Sequence, residues 1–186
     1  RLKTPESIVK KLKNDGCEVT IENMVEHLND IAGIRIICSF MSDIYPIADM
    51  IARQADITVL HVKDYIKYPK TNGYKSYHMV VTIPVYLSEG KRDTKVEIQI
   101  RTIAMDFWAS LEHKIAYKFE GKAPDYLERE LKSCADMVDM LDMKMFSLNQ
   151  AIMAVEEEER RVEEEKRRER EKAEKRQEEL AGNGPT

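Results

Sequence analysis

Two stretches of this chain concentrate side chains able to do chemistry. One is Tyr68-Pro69-Lys70-Thr71-Asn72-Gly73-Tyr74-Lys75-Ser76-Tyr77-His78, and the other is Glu97-Ile98-Gln99-Ile100-Arg101-Thr102. In the second, the two-residue period of a strand puts Glu97, Gln99 and Arg101 on one face and Val96, Ile98 and Ile100 on the other. In the first, Asn72-Gly73 permits a tight turn with positive φ. Tyr74 would then stand at the tip, free to stack on a nucleobase, as aromatic rings do. Lys70 and His78 flank it and could meet a phosphate tail. Spacing alone leaves two readings open: a nucleotide platform, or a hairpin turn with an incidental tyrosine.

Further candidates lie near the start. Ser7 and Lys11 share a helical face, and Lys3 precedes Ser7 by one turn. Lysines and a hydroxyl at a helix start suit phosphate oxygens, helped by the helix dipole. Taken alone, Arg1, Lys3, Ser7 and Lys11 read as an ordinary basic helix. Asp30 and Glu97 could serve phosphoryl-type transfer with Mg²⁺, which needs only one or two protein carboxylates. They converge if their strands are neighbours. Otherwise Asp30 is a cap or turn residue and Glu97 an exposed strand residue. Gln99, Arg101, Arg35 and His78 also fall on non-core strand faces, and so rich a face is more often a cleft than plain surface. Trp108 reads as core, and His113, alone on its helix, as structural. The chain has no His/Cys cluster for zinc, no serine or cysteine triad, no Walker loop and no Rossmann glycine pattern.

The elements that must position these residues follow from periodicity. Helices are expected over about 5–14 and 22–28. A strand runs from Ile31 to Phe40, with Ala32, Ile34, Ile36, Cys38 and Phe40 on one face and Gly33 and Arg35 on the other. A helix from Ser42 or Asp43 reaches about Gln54. Asp56–Val62 is a strand, and a lysine-rich loop follows. Ser76–Ile83 and Lys95–Arg101 are strands separated by a turn over Ser88–Asp93. A helix over about 103–119 breaks near Gly121-Lys122-Ala123-Pro124. Strands covered by helices on one face, with a charged second face, describe an open α/β or α+β layer.

Leu127, Leu131, Cys134, Val138, Leu141, Met145, Leu148, Ile152 and Val155 then recur in steps of four and three, a heptad seam. It reads as an amphipathic helix on its own domain or, given its length, as a contact with a partner helix. From Glu156 to Leu180 nearly every residue is Glu, Lys or Arg, a solvated helix or disordered tail. Gly182-Asn183-Gly184-Pro185 ends it. The expected division is a core over 1–122, an amphipathic helix over 123–155 and a charged tail over 156–186.

The bulk properties set limits. The chain has 186 residues, an apolar fraction of 42% and a net charge of −4. That suffices for one domain plus an extension and gives no general reason to bind nucleic acid. No apolar run is long enough to span a membrane, and no signal-peptide pattern is visible. A chain starting at Arg1 without methionine reads as a fragment. Cys17, Cys38 and Cys134 are odd in number and scattered, which argues against a disulfide framework and fits a reducing cytoplasm.

With these motifs assembled, residues 1–150 resemble the small alarmone synthetases, stand-alone relatives of the synthetase domain of Rel/Spo stringent-response enzymes. The resemblance rests on Arg1-Leu2-Lys3…Ser7…Lys11, Asp30-Ile31-Ala32-Gly33-Ile34-Arg35, Lys70 to His78, and Glu97 to Thr102, in that order. It implies an α+β fold with a nucleotidyltransferase-like mixed sheet flanked by helices. It implies a GTP pyrophosphokinase that moves the β,γ-pyrophosphoryl group of ATP to the 3′-hydroxyl of GDP or GTP, giving AMP and ppGpp or pppGpp. Arg1 and Arg35 would sandwich adenine, and Lys3, Ser7 and Lys11 would hold ATP phosphates. Asp30 and Glu97 would bind Mg²⁺, and Glu97 would take the 3′-hydroxyl proton. Tyr74 would stack on guanine. Lys70 and His78 would hold the acceptor phosphates, and Asn72 and Gln99 would join the GDP/GTP site.

The resemblance further implies a homo-oligomer, a tetramer by preference, with regulation by alarmone or RNA. In some relatives an alarmone-binding cleft between subunits uses sequence that would precede Arg1. These residues show no hydrolase motif with a histidine–aspartate metal site, so the expectation is alarmone synthesis without degradation. The rival readings are a same-fold pyrophosphokinase acting on the tRNA 3′ end or on adenine nucleotides, and an inactive nucleotide- or RNA-binding scaffold.

Overall fold

The computed structural model describes the backbone of residues 1–119 and 123–182 and the side chains of those up to 173. The elements run in the order α1 (Pro5–Asn14), α2 (Ile21–His27), β1 (Ala32–Cys38), α3 (Met41–Ala52), β2 (Thr58–Asp64), β3 (Tyr77–Leu87), β4 (Gly90–Thr102), α4 (Ile103–Lys118) and α5 (Asp125–Gly182). The strands form one four-stranded mixed sheet in the order β1-β4-β3-β2. β1 lies parallel to β4, and the other two pairings are antiparallel. Mixed pairing follows from the connections: a short hairpin joins β3 to β4, whereas β1 and β4 are far apart in sequence.

The apolar periodicity is spent on one face of the sheet. Met79, Val81, Val96, Ile98 and Ile100 pack with Ile44 and Ala48 of α3 and with Met105 of α4. The register then fixes the opposite face. Gly33 faces Glu97 and Arg35 faces Gln99 across β1 and β4. Glu97 faces Val80 and Gln99 faces His78 across β4 and β3. The strand that Asp30 precedes and the strand bearing Glu97 are therefore neighbours.

Strand boundaries differ from the sequence expectation, and β2 runs over Thr58–Asp64 in place of Asp56–Val62. The turn placed over Ser88–Asp93 shrinks to Ser88 and Glu89, because Gly90, at φ 115°, opens β4 opposite Leu87. Lys91, Arg92 and Asp93 continue that strand. They are exposed and charged, so no hydrophobic alternation marks them. The strand expected from Ile31 to Phe40 is confined to Ala32–Cys38, since Phe40 already caps α3.

The chain divides into two units, Arg1–Met143 and Lys144–Thr186. The boundary between these units falls inside the amphipathic helix expected over 123–155. The start of α5 belongs to the first unit, where Leu131 and Ala135 bury themselves against Trp108 and Ala109 of α4, with Cys134 and Val138 alongside. Trp108 Nε1–H donates to the Leu131 carbonyl at 2.9 Å. The early seam thus packs on its own domain, while Leu141, Met145, Leu148, Ile152 and Val155 remain exposed. The charged stretch continues as helix to Gly182. Gly121, Lys122 and the terminating Asn183, Gly184 and Pro185 lie outside the described residues. Among those residues no helix is long and apolar enough to cross a membrane.

Candidate active site

One wall of the site is built from the chain's first residues. Leu2 bridges Ala32 at the edge of β1. Lys3 N–H donates to the Ile31 carbonyl at 2.8 Å, and Gly33 N–H donates to the Arg1 carbonyl at 2.8 Å. Thr4 Oγ1 then caps α1 by accepting the Ser7 N–H at 3.4 Å, and Pro5 occupies the first turn, where a missing N–H costs nothing. This geometry brings two ammonium groups to one carboxylate: Lys3 Nζ and Lys11 Nζ each donate to a different oxygen of Asp30, both at 2.7 Å. Burial works against the Asp30 charge. The Lys11 and Lys3 hydrogen bonds and charges together outweigh it, and the carboxyl titrates below its ordinary range.

Arg1, Lys3, Ser7, Arg35 and His113 line a cleft of about 530 Å³ whose floor includes Asp30, Glu97 and Gln99. A smaller cavity of about 120 Å³ holds Lys11, His61, Lys63 and His78 and shares Asp30 and Glu97 with the first. The two carboxylates therefore stand where the cavities meet. His113, expected to be structural, is a wall residue of the larger one.

The second wall is a closed ring of hydrogen bonds. Arg101 Nη2 donates to Tyr74 Oη at 2.6 Å and to Gln99 Oε1 at 2.8 Å. Gln99 Nε2 donates to Glu97 Oε2 at 2.9 Å. Glu97 Oε1 lies 3.2 Å from His78 Nδ1, and His78 Nε2 lies 2.8 Å from Tyr74 Oη. A guanidinium can only donate and an ionised carboxylate can only accept, so Tyr74 accepts from Arg101 and Glu97 accepts from His78 Nδ1–H. In a neutral ring this leaves Nε2 to accept the Tyr74 proton. The His78–Glu97 hydrogen bond is the main cause holding the Glu97 carboxyl below its ordinary range. Gln99 adds to it and burial opposes it. Burial raises the Tyr74 hydroxyl, with Arg101 opposing, so it remains a neutral phenol.

Tyr74 is therefore not the free tip residue the turn suggested. It is half-buried, edge-on to Tyr65 and His78 and tilted against Trp108. Lys70 Nζ sits 5.0 Å from the Tyr65 ring centre and 4.9 Å from that of Tyr74. His78 has both ring nitrogens engaged, so neither points freely at a phosphate. Asn72 Oδ1 accepts the Tyr74 N–H at 3.1 Å, and its Nδ2 donates to Glu112 at 3.4 Å. Gly73 has φ 89°, and a Cβ built there would lie 2.4 Å from Ala135 Cβ of α5. Lys75 pairs with Asp139 of the same helix. Helix α5 thus backs the loop that carries Tyr74.

Three residues escaped the sequence reading. His61 and Lys63 reach the site because the ladder shifts register between Val59 and His61. Val59 still packs with the core, whereas His61 pairs opposite Val80 and Lys63 opposite His78, on the polar face. Such a bulge re-aims every later side chain, and its trace in the sequence is the Val59-Leu60 pair ahead of the His61/Lys63 alternation. Asp106 is the third. Its Oδ1 pairs with Arg35 at 3.1 Å and with Arg101 at 3.2 Å.

Two carboxylates held ionised suit one divalent cation. Among the described residues no group of three or more His, Cys, Asp or Glu could hold a metal, so substrate phosphates and water would supply the remaining ligands, as Mg²⁺ accepts.

Comparison with known proteins agrees with this geometry. The profile of a family described as the region found in RelA/SpoT proteins matches residues 1–122. The chain is 51% identical over 152 residues to GTP pyrophosphokinase YwaC of Bacillus subtilis, spanning 82% of this chain and 72% of that protein. The crystal structure of small alarmone synthetase 2 from B. subtilis matches with a TM-score of 0.74 at 49% identity, over 81% of this chain and 78% of that one. Small alarmone synthetase 1 from B. subtilis, solved bound to its product pppGpp, matches with a TM-score of 0.76 at 36% identity, over 82% and 77%.

Proposed function

The chain belongs to the RelA/SpoT family, and from that premise we propose that it is a GTP pyrophosphokinase making ppGpp and pppGpp. The 3′-hydroxyl oxygen of GDP or GTP attacks the β-phosphorus of ATP. The bond from that phosphorus to the α,β-bridging oxygen breaks, and its electrons leave with AMP. The observation that carries this reading is the meeting of two cavities at Asp30 and Glu97.

The larger cleft suits ATP. Arg1 and Arg35 offer guanidinium planes for adenine, and Lys3 and Ser7 offer donors for its phosphates. Lys11 reaches those phosphates from the smaller cavity, through Asp30 where the two meet. The smaller cavity, lined by His78 and Lys63, suits the guanine nucleotide, with Tyr74 behind His78, Lys70 and Asn72 on the loop that carries Tyr74, and Gln99 reaching the acceptor from the floor of the larger cleft. Glu97, ionised, accepts the hydroxyl proton and releases it to solvent. Asp30 and Glu97 would hold Mg²⁺, which would neutralise charge building on the phosphate oxygens. Lys3 and Lys11 then turn from Asp30 toward the phosphates.

The free cysteines Cys17, Cys38 and Cys134 support a cytoplasmic setting. The exposed apolar residues Leu148, Ile152 and Val155 support assembly through helices, with a tetramer as the expected state. Leu148→Glu with Ile152→Glu is expected to yield a smaller species in sedimentation, and an unchanged species would remove the seam from assembly.

The deciding assay uses γ-labelled ATP and Mg²⁺ with GDP, GTP, ADP, ATP or deacylated tRNA in separate reactions. Label on GDP or GTP with AMP release is expected. Label on tRNA or on an adenine acceptor would keep the chemistry and change the substrate, and no transfer would leave a nucleotide-binding scaffold.

A further inference from the structure

Arg101 is buried, only 5% exposed, and lines neither cavity. Burying a guanidinium is costly unless its donors are satisfied. Among the described residues its one carboxylate partner is Asp106, which it shares with Arg35. Its other donors go to uncharged groups: Nε to Ser76 Oγ at 3.2 Å, and Nη2 to Tyr74 Oη and Gln99 Oε1. Charge neutralisation does not account for that choice of partners. What they have in common is that Tyr74 and Gln99 lead by separate routes to the same carboxylate, one through His78 and the other directly.

We propose that Arg101 is a positioning residue for pyrophosphoryl transfer, locking Tyr74 and Gln99 in one frame with Glu97 so that acceptor base and proton acceptor are placed together. The inference rests on the pyrophosphokinase reading. The physical logic is directional. Because Gln99 Oε1 is taken by Arg101, its amide nitrogen must face Glu97. Without Arg101 the amide is free to flip and turn an oxygen toward a carboxylate. Because Glu97 accepts from His78 Nδ1–H, a neutral His78 offers Nε2 to the Tyr74 proton, and Arg101 holds the Tyr74 oxygen where that proton reaches it. A planar fork can serve these partners together, whereas a lysine ammonium on a flexible stem cannot hold the same geometry. Asp106 extends the frame to Arg35 on the other side of the site.

The test compares wild type and Arg101→Lys alone and in a Tyr74→Phe/Gln99→Leu background. Steady-state kinetics with ATP and GDP is paired with calorimetric titration of GDP and of a non-hydrolysable ATP analogue. Arg101→Lys is expected to weaken GDP and to lower kcat, each by about tenfold, the scale of one lost charge-assisted hydrogen bond. Affinity for the ATP analogue stays within about twofold, and in the double-variant background Arg101→Lys adds little. Equal losses in both backgrounds, or parallel weakening of both nucleotides, would overturn the inference.

Should Arg101→Lys fail to fold, Tyr74→Phe and Gln99→Leu decide the matter. They share Nη2 of Arg101, so sub-additive losses support the frame and strictly additive losses refute it. A wild-type protein that binds GDP but transfers nothing would sink the pyrophosphokinase reading, while GDP affinity would still report on the frame.

Discussion

The two walls of the site are built on opposite principles. On the side of Lys3, Lys11 and Asp30 the groups are charged, partly exposed and joined by ion pairs around an open cleft. On the side of Tyr74, His78, Gln99 and Arg101 they are more deeply buried and joined in a closed ring, with α5 packed behind the loop. The first wall resembles a socket whose cations rest on Asp30 until phosphates arrive. The second is assembled before any ligand binds. Electrostatics should therefore dominate the first wall, and packing and hydrogen-bond direction the second.

Glu97 belongs to both walls, and its loss should have the largest effect. Glu97→Gln keeps the shape and removes the proton acceptor, so AMP release should fall by about a thousandfold. Both nucleotides should still bind, as titration would show. Undiminished AMP release would remove Glu97 from the chemistry and break the comparison at its joint.

Gly73→Ala attacks the packed wall alone. The new Cβ meets Ala135 Cβ at 2.4 Å, on a backbone with φ 89°. Strain of this kind costs about 1–3 kcal/mol, to be read in urea unfolding, and the KM for GDP should rise while that for ATP holds. Adding Ala135→Gly should return the steric part. A normal KM for GDP in the single variant would mean that α5 does not position the loop.

Lys3→Ala attacks the electrostatic wall, since Lys3 lines the larger cleft and not the smaller cavity. The KM for ATP should rise by about tenfold, the worth of one hydrogen bond to a charged group, with little change for GDP. If GDP suffers more, the two walls have been assigned the wrong way round.

The smallest effect is on pH dependence. Asp30 and Glu97 both titrate below their ordinary ranges when folded. The unfolded chain therefore binds protons more readily, and these groups add stability that is complete above the ordinary carboxyl range near pH 4 and is lost as pH falls through their depressed values. Asp142, raised mainly by burial, acts in the opposite sense. Asp30→Asn should flatten the acid limb of stability in urea melts at stepped pH, and an unchanged limb would show that the lysine pair carries no linkage.

Much of the site could be read before the fold was known, because its residues obey short-range rules. The alternation at Val96–Arg101 sorts core from cleft without any knowledge of neighbours. Asn72-Gly73 announces a positive φ, and the structure has one at Gly73. The misreadings have a different cause. Tyr74 was expected at a free tip because a turn signal carries no information about the helix behind it, and Ala135 lies more than sixty residues away in the chain. His61 and Lys63 were missed because a bulge is a property of two paired strands and not of one. The early seam of α5 was weighed toward a partner helix, although Leu131 and Ala135 had a surface on α4 to cover.

What the sequence determined by itself is the inventory and the local form: which helices and strands exist, which faces of β3 and β4 are polar, and that Asp30, Glu97 and a set of lysines stand at element ends and on cleft faces. These follow from periodicity and capping, which act over a few residues. Only the tertiary structure decided that β1 lies beside β4, that the two carboxylates share a wall, and that Arg101 closes a ring through Tyr74, His78, Glu97 and Gln99. Those facts depend on strand order and register. Both are set by burying one apolar face as a whole, so no local stretch of the chain contains them.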